Sequence, residues 1–236
     1  MKNEEGTIKK CKWFRAAAIS LFVCVVFGAI ELPAQTQSNS SRWEPEIRAF
    51  ENRDRTNPPP QHAVLFIGSS AIRKWKALAE DFPGVTVINR GFGGSEIHDS
   101  TYFADRIIFP YHPRTIVFFA GANDLAAGMS PDEVVAEYKK FVATVHAKLP
   151  GAPIIYISID PSPVRWKNKH NIMETNRRIA AMKGDHLEFV DILSPMLDAS
   201  GNPREDLFLK DRLHPNEQGY QIWAARIKPL LNSDKN

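Results

Sequence analysis

The sequence predicts an α/β domain: a doubly wound, three-layer sandwich with helices on both faces of a mostly parallel, five-stranded sheet. Three observations lead there. Five short apolar runs, AVLFIG (63–68), VTVIN (85–89), TIVFFAG (115–121), PIIYISI (153–159) and LEFVDI (187–192), are rich in Val, Ile and Phe and nearly unbroken. Continuous rather than alternating apolar character suits strands covered on both faces. Segments of helical period separate the runs, and such alternation closes into a parallel sheet through right-handed crossovers. Polar, glycine-bearing segments follow several of the runs, at the carboxyl edge where such sheets bind ligands.

The N-terminus stands apart from this pattern. Lys9, Lys10, Lys12 and Arg15 form a basic start, Ala16 to Ile30 is almost wholly apolar, and Leu32-Pro33-Ala34 precedes a polar Gln-Thr-Gln. This is the layout of a secretory signal peptide over residues 1–34 with cleavage after Ala34, which places the mature protein in the periplasm or outside the cell. The run is short of the roughly 20 apolar residues that span a bilayer. An uncleaved anchor is the alternative, and in that case the segment is the chain's link to the membrane. Val23 is too large to precede a lipidated Cys24. Both cysteines, Cys11 and Cys24, fall in the leader, so the mature chain has neither a disulfide framework nor a thiol nucleophile. Taking the leader's five basic and three acidic side chains from the chain's 30 and 27 leaves 25 and 24. That near-balance gives no reason to expect a nucleic-acid partner.

Gln35 to Ser41 reads as a flexible tail. Trp43, Ile47 and Phe50 then fall on one helical stripe, suited to a short helix laid on the core. Asn57 to Pro60 ends that helix, since three prolines cannot continue it. Residues 35–61 are therefore tail, helix and Pro-rich linker, and 62–236 form the main domain. After the first strand, Gly68-Ser69-Ser70 opens a helix. After the second comes NRGFGGSE (89–96), and after the third GAND (121–124). Ser130-Pro131-Asp132-Glu133 is a capping box with proline at the first helical position, and Val134, Tyr138, Phe141, Val145 and Leu149 mark the buried face of the helix it starts. DPSPVRW (160–166) follows the fourth strand. Asn171 to Met182 is a weaker helix, and Asn216 to Leu230 closes the chain as another.

The segments at the strand ends match the needs of acyl transfer: a nucleophile, a base, a group that orients the base, and donors for an oxyanion. Ser69 and Ser70 stand at a strand-to-helix junction. Asp211 and His214, in DRLHP after the fifth strand, are spaced to meet across a tight turn, with the carboxylate fixing the imidazole tautomer. Asn123 offers an amide N–H, and the glycines at 91, 93 and 94 allow backbone N–H groups to approach a substrate.

Four blocks together, in this order, resemble the SGNH (GDSL-like) hydrolases. FIGSSAI resembles the first block, GFGGS the second, GAND the third and DRLH the last, and the resemblance spans roughly residues 62 to 230. It implies a flavodoxin-like SGNH hydrolase fold and a serine esterase without metal or organic cofactor. It implies Ser70 as nucleophile, Asp211 and His214 as its triad partners, and an oxyanion hole made by the N–H groups of Ser70 and Gly94 and the side chain of Asn123. One position departs from the family pattern: Ser69 stands where aspartate is usual.

Each block has a plainer reading when taken alone. Gly-Ser-Ser before a helix is commonly a cap, and Asn123-Asp124 is a common loop pair, with Asp124 read as bonding nearby backbone. A dinucleotide fingerprint fails because position 96 is Glu, and the Gly-x-Ser-x-Gly elbow of other α/β esterases is absent. His62, His98, His112, His146, His170 and His186 lack metal-ligand spacing. The order of the blocks favours an exported hydrolase of short-chain acyl or acetyl esters of carbohydrates or lipids, with a non-catalytic carbohydrate-binding module on the same fold as the alternative. Arg165 and Trp166 are candidate substrate contacts near the cleft mouth. Arg73 and Trp75 are weaker ones, on a helix that turns mostly away from it. The sequence leaves the oligomeric state open.

Overall fold

Strand β1 (Val64–Gly68) is buried along its whole length because it has a core on each side. Leu65 and Ile67 enter one apolar cluster, Val64 and Phe66 another, as the two-residue period of a strand requires. Strands β3 (Thr115–Phe119) and β4 (Ile154–Ile157) divide in the same way. Ile116, Phe118, Ile154 and Tyr156 face the first cluster, while Val117, Phe119, Ile155 and Ile157 face the second. β2 (Val87–Gly91) and β5 (Leu187–Val190) are the partly exposed edges. In this computed structural model, which describes residues 39–232 except 183 and 185, every strand pair is parallel and the order is β2-β1-β3-β4-β5. The parallel five-stranded sheet expected from the apolar runs is therefore present. The signal segment read over residues 1–34 lies outside the described residues.

The first cluster is covered by α1 (Glu44–Thr56), α4 (Ile97–Tyr102), α5 (Ala104–Ile107), α6 (Ala122–Ala126), α7 (Pro131–Lys148) and α8 (Lys169–Ala180). The second is covered by α2 (Ser70–Lys74), α3 (Leu78–Asp81) and α9 (Glu217–Asn232). Helix α7 starts as its sequence requires: Ser130 Oγ accepts from the Glu133 amide at 3.3 Å, and the Glu133 carboxylate accepts from the Ser130 amide at 2.7 Å.

Two local features differ from the sequence reading. β2 runs on to Gly91 rather than stopping at Asn89, because the Arg90 guanidinium is bonded to Asp54 and to the Tyr111 hydroxyl, and a paired charge is tolerated in a buried strand. The last residues of the tail read over Gln35 to Ser41 belong to the packed structure. Asn39 caps a short 3-10 turn (Ser40–Trp43), and Ser40 is buried with its hydroxyl 2.7 Å from Asp99.

Strand order reverses between β1 and β3, since the connection from β1 runs outward to β2 and the next returns across β1. A crevice opens at the carboxyl ends of strands at such a reversal. The loops after β1, β2 and β3 all reach it.

Candidate active site

The turn after β1 brings Ser70 into the crevice. Gly68 has φ +130°, and a Cβ there would lie 2.0 Å from the Phe119 carbonyl oxygen, so only glycine lets the chain turn beside β3. The Ser69 amide donates to that same carbonyl at 3.0 Å. Ser69 is the N-cap of α2, yet its side chain makes no capping bond, and the residue is buried. Ser70 is the first helical residue, and its Oγ lies 2.9 Å from His214 Nε2. Of the two adjacent serines, Ser70 is the one that meets the imidazole.

A tight loop after β5 presents that imidazole. Arg212 takes φ +54°, its amide donates to Leu209 O, and the Leu209 amide donates to His214 O, both at 2.8 Å. Asp211 Oδ1 accepts from the amides of Leu213 and His214 at 3.0 Å each, and Oδ2 lies 2.7 Å from His214 Nδ1. With a carboxylate at Nδ1, the ring keeps its proton there and turns the Nε2 lone pair toward Ser70. Burial works against the Asp211 charge, but the two amides and the imidazole outweigh it and hold the carboxyl well below the usual range. Burial likewise disfavours the charged imidazole; Asp211 opposes this, the charges of Lys74 and Arg165 reinforce it, and His214 sits below its ordinary value.

Lys74 is a site residue that the sequence reading missed. Its Nζ lies 3.4 Å from Asp211 Oδ2 and 3.2 Å from His214 Nδ1. The available signal was its spacing, one helical turn beyond Ser70 on the same face. The imidazole accepts a proton only when neutral, so activity should fall as pH drops through its pKa. Lys74→Ala removes a cation that disfavours the protonated ring, and the acid limb of kcat/KM should therefore move to higher pH. A pH-rate profile checks this, and an unmoved limb would show that Lys74 has no electrostatic hold on His214.

The loop after β2 supplies the other wall. Gly93 lies beneath the Trp43 ring, where a Cβ would come within 1.8 Å of the indole, and its amide donates to Glu46 at 3.0 Å. Buried Asp99 accepts from Ser40 Oγ, Trp43 Nε1 (3.0 Å) and the Glu96 amide (2.9 Å). The segment before β1 thus fastens this loop at both ends, a role its composition did not announce. Gly94 is exposed, and the atom nearest to where its Cβ would be is Asn123 Nδ2 at 3.8 Å, so the two residues border one space. Asn123 Nδ2 donates to Ser95 O at 2.8 Å, and Asn123 Oδ1 accepts from Arg165 Nη2 at 2.6 Å. Asp124, fully buried, accepts from the amides of Ile97 and Gly121 at 3.0 Å each, joining this wall to the turn after β3.

The crevice therefore gathers Ser70, His214 and Asp211 in hydrogen-bonded sequence; Gly94, Asn123 and Arg165 adjoin one another, and the charge of Arg165 is felt at His214. Trp166 is part-buried against the first core cluster. Trp75 is a core residue whose Nε1 donates to Asp81, and Arg73 pairs with Glu46. Among the described residues, no three His, Cys, Asp or Glu side chains gather as metal ligands would.

A model of the GDSL-like lipase/acylhydrolase family matches residues 68–222. The chain belongs to this family. Membership makes it a hydrolase of ester bonds, and the matched region begins at the glycine that turns Ser70 into the crevice. Solved structures of similar fold include a GDSL-like lipase from Bacteroides thetaiotaomicron, with 23% identity and TM-score 0.67 over 83% of this chain and 98% of that one. A proposed acylhydrolase from Bacteroides fragilis has 21% identity and TM-score 0.70 over 79% and 96%. A carbohydrate esterase family 3 protein from Talaromyces cellulolyticus has 18% identity and TM-score 0.56 over 72% and 96%. At these identities the likeness is one of fold. No curated protein matches the chain.

Proposed function

We propose that this GDSL-family hydrolase is an exported serine esterase that cleaves short-chain acyl or acetyl esters of carbohydrates or lipids. The observation that carries the proposal is the hydrogen-bonded line from Ser70 Oγ through His214 to Asp211, at 2.9 and 2.7 Å. A serine hydroxyl attacks only when a base takes its proton, and here the base is within reach and its tautomer is set. Ser70 Oγ bonds to the acyl carbon as its proton passes to His214 Nε2, and Asp211 stabilises the imidazolium. The amides of Ser70 and Gly94 and the Asn123 side chain donate to the oxyanion. His214 then gives the proton to the departing alcohol oxygen as the C–O bond breaks. Water, deprotonated by His214 in turn, frees Ser70 and releases the acid.

The acyl and alcohol preference draws on the carbohydrate esterase named above and on an acetyl esterase of similar fold, with TM-score 0.54 and 18% identity. Export draws on the basic-then-apolar sequence of residues 1–34. A fluorophosphonate reagent tests the chemistry: the folded protein should take up one label, on the peptide carrying Ser70, and lose hydrolysis of acetylated sugars and short-chain nitrophenyl esters in proportion. Absence of label on active protein would overturn the mechanism. Export predicts Gln35 as the first residue of protein recovered from outside the cytoplasm, and an intact Met1 there would refute cleavage.

A further inference from the structure

The Asn123 side chain is held from two sides. Ser95 O, which only accepts, takes one N–H of Nδ2 at 2.8 Å; Arg165 Nη2, which only donates, reaches Oδ1 at 2.6 Å. An unconstrained carboxamide rotates by half a turn at little steric cost, and the rotated form would present an oxygen to the oxyanion. With an acceptor on one side and a donor on the other, only one orientation satisfies both neighbours. It leaves a single N–H of Nδ2 uncommitted, beside Gly94.

We infer that Arg165 is a positioning residue for the reaction, fixing and polarising the Asn123 amide so that its remaining N–H is aimed at the oxyanion. The inference rests on the proposed role of Asn123 as an oxyanion donor. A guanidinium on the amide oxygen draws electron density away from the nitrogen and makes that N–H a stronger donor, as charge-assisted bonds do in low-dielectric surroundings. Arg165 is itself held in place. Its amide donates to Ser162 O at 3.0 Å, and the neighbouring Val164 amide donates to Arg212 O at 3.2 Å, tying this loop to the one that carries Asp211 and His214. Asp160, buried just beyond the carboxyl end of β4, acts on the guanidinium when ionised, and burial pushes its carboxyl up to about 7 against the opposing pull of Arg165. The Arg165 contact spans 42 residues of sequence, and neither DPSPVRW nor GAND announces it.

A double-mutant cycle tests the inference, measured above the pH at which His214 titrates so that any change in imidazole charge drops out. Asn123→Ala should lower kcat by on the order of 10²-fold, the usual scale for one oxyanion donor. Arg165→Met should lower kcat by about tenfold with KM nearly unchanged, and Arg165→Lys, which restores a cationic donor, should recover part of that loss. In the Asn123→Ala background, Arg165→Met should then cost less than about twofold. Equal losses in both backgrounds, or a loss expressed in KM alone, would overturn the inference while leaving the esterase mechanism in place. An unchanged rate in Asn123→Ala would overturn the oxyanion role and the inference with it. Thermal melting of each variant separates these outcomes from misfolding, and Arg165→Lys supplies the informative comparison should Arg165→Met fail to fold.

Discussion

Ser70→Ala is expected to lower kcat for a short-chain nitrophenyl ester by at least on the order of 10⁴-fold, while Ser69→Ala keeps activity within about tenfold of the parent. The first figure follows from what loss of a serine nucleophile costs: the remaining donors still bind the carbonyl, but no covalent intermediate forms. The second follows from where Ser69 lies. It is buried and its side chain makes no capping bond, while its backbone amide donates to Phe119 O and its carbonyl accepts from the Ile72 and Arg73 amides, all of which alanine preserves. Initial rates and fluorophosphonate labelling of both variants, with melting curves to show that each folds, decide the matter. A dead Ser69→Ala beside an active Ser70→Ala would reassign the nucleophile.

These serines and the sheet beneath them are legible in the sequence because both leave local signatures. A strand with a core on each face cannot alternate, so β1, β3 and β4 appear as unbroken apolar runs. Gly68, Asn123 and His214 sit in short blocks whose order along the chain carries the family resemblance. What was not legible arises between distant elements. β2 runs past its expected end because Asp54 and Tyr111 pair with Arg90 from 36 and 21 residues away. Trp43 and Glu46 serve the Gly93 loop from 50 and 47 positions upstream, ahead of the region matched by the family model. Composition shows only that such residues are polar or aromatic. Which partner each finds is set by the fold, and most substrate-facing geometry is of that kind.

The geometry of Asp211 leads to the second large effect. Asp211→Asn should leave the loop folded, since an amide oxygen still accepts from the Leu213 and His214 backbone N–H groups that Oδ1 now serves. The other arm changes chemistry. An NH₂ group in place of Oδ2 donates toward Nδ1, and Lys74 Nζ, 3.2 Å from the same nitrogen, offers a second donor. Both favour the tautomer in which Nδ1 is bare and Nε2 carries the proton. An imidazole with Nε2–H facing Ser70 cannot accept the hydroxyl proton, so kcat should fall by on the order of 10⁴-fold near neutral pH, with the melting temperature little changed. Asp211→Ala, which removes the Oδ1 acceptor as well, should lose activity and also loosen the loop, giving a lower melting temperature than Asp211→Asn. Because Lys74 helps to impose the wrong tautomer only after the carboxylate is gone, Lys74→Met should recover part of the loss in Asp211→Asn while bringing no gain to the parent. Should Asp211→Asn retain more than a tenth of parental kcat, tautomer control by this carboxylate would be refuted, and its hydrogen bonds would be left with a role in holding the loop.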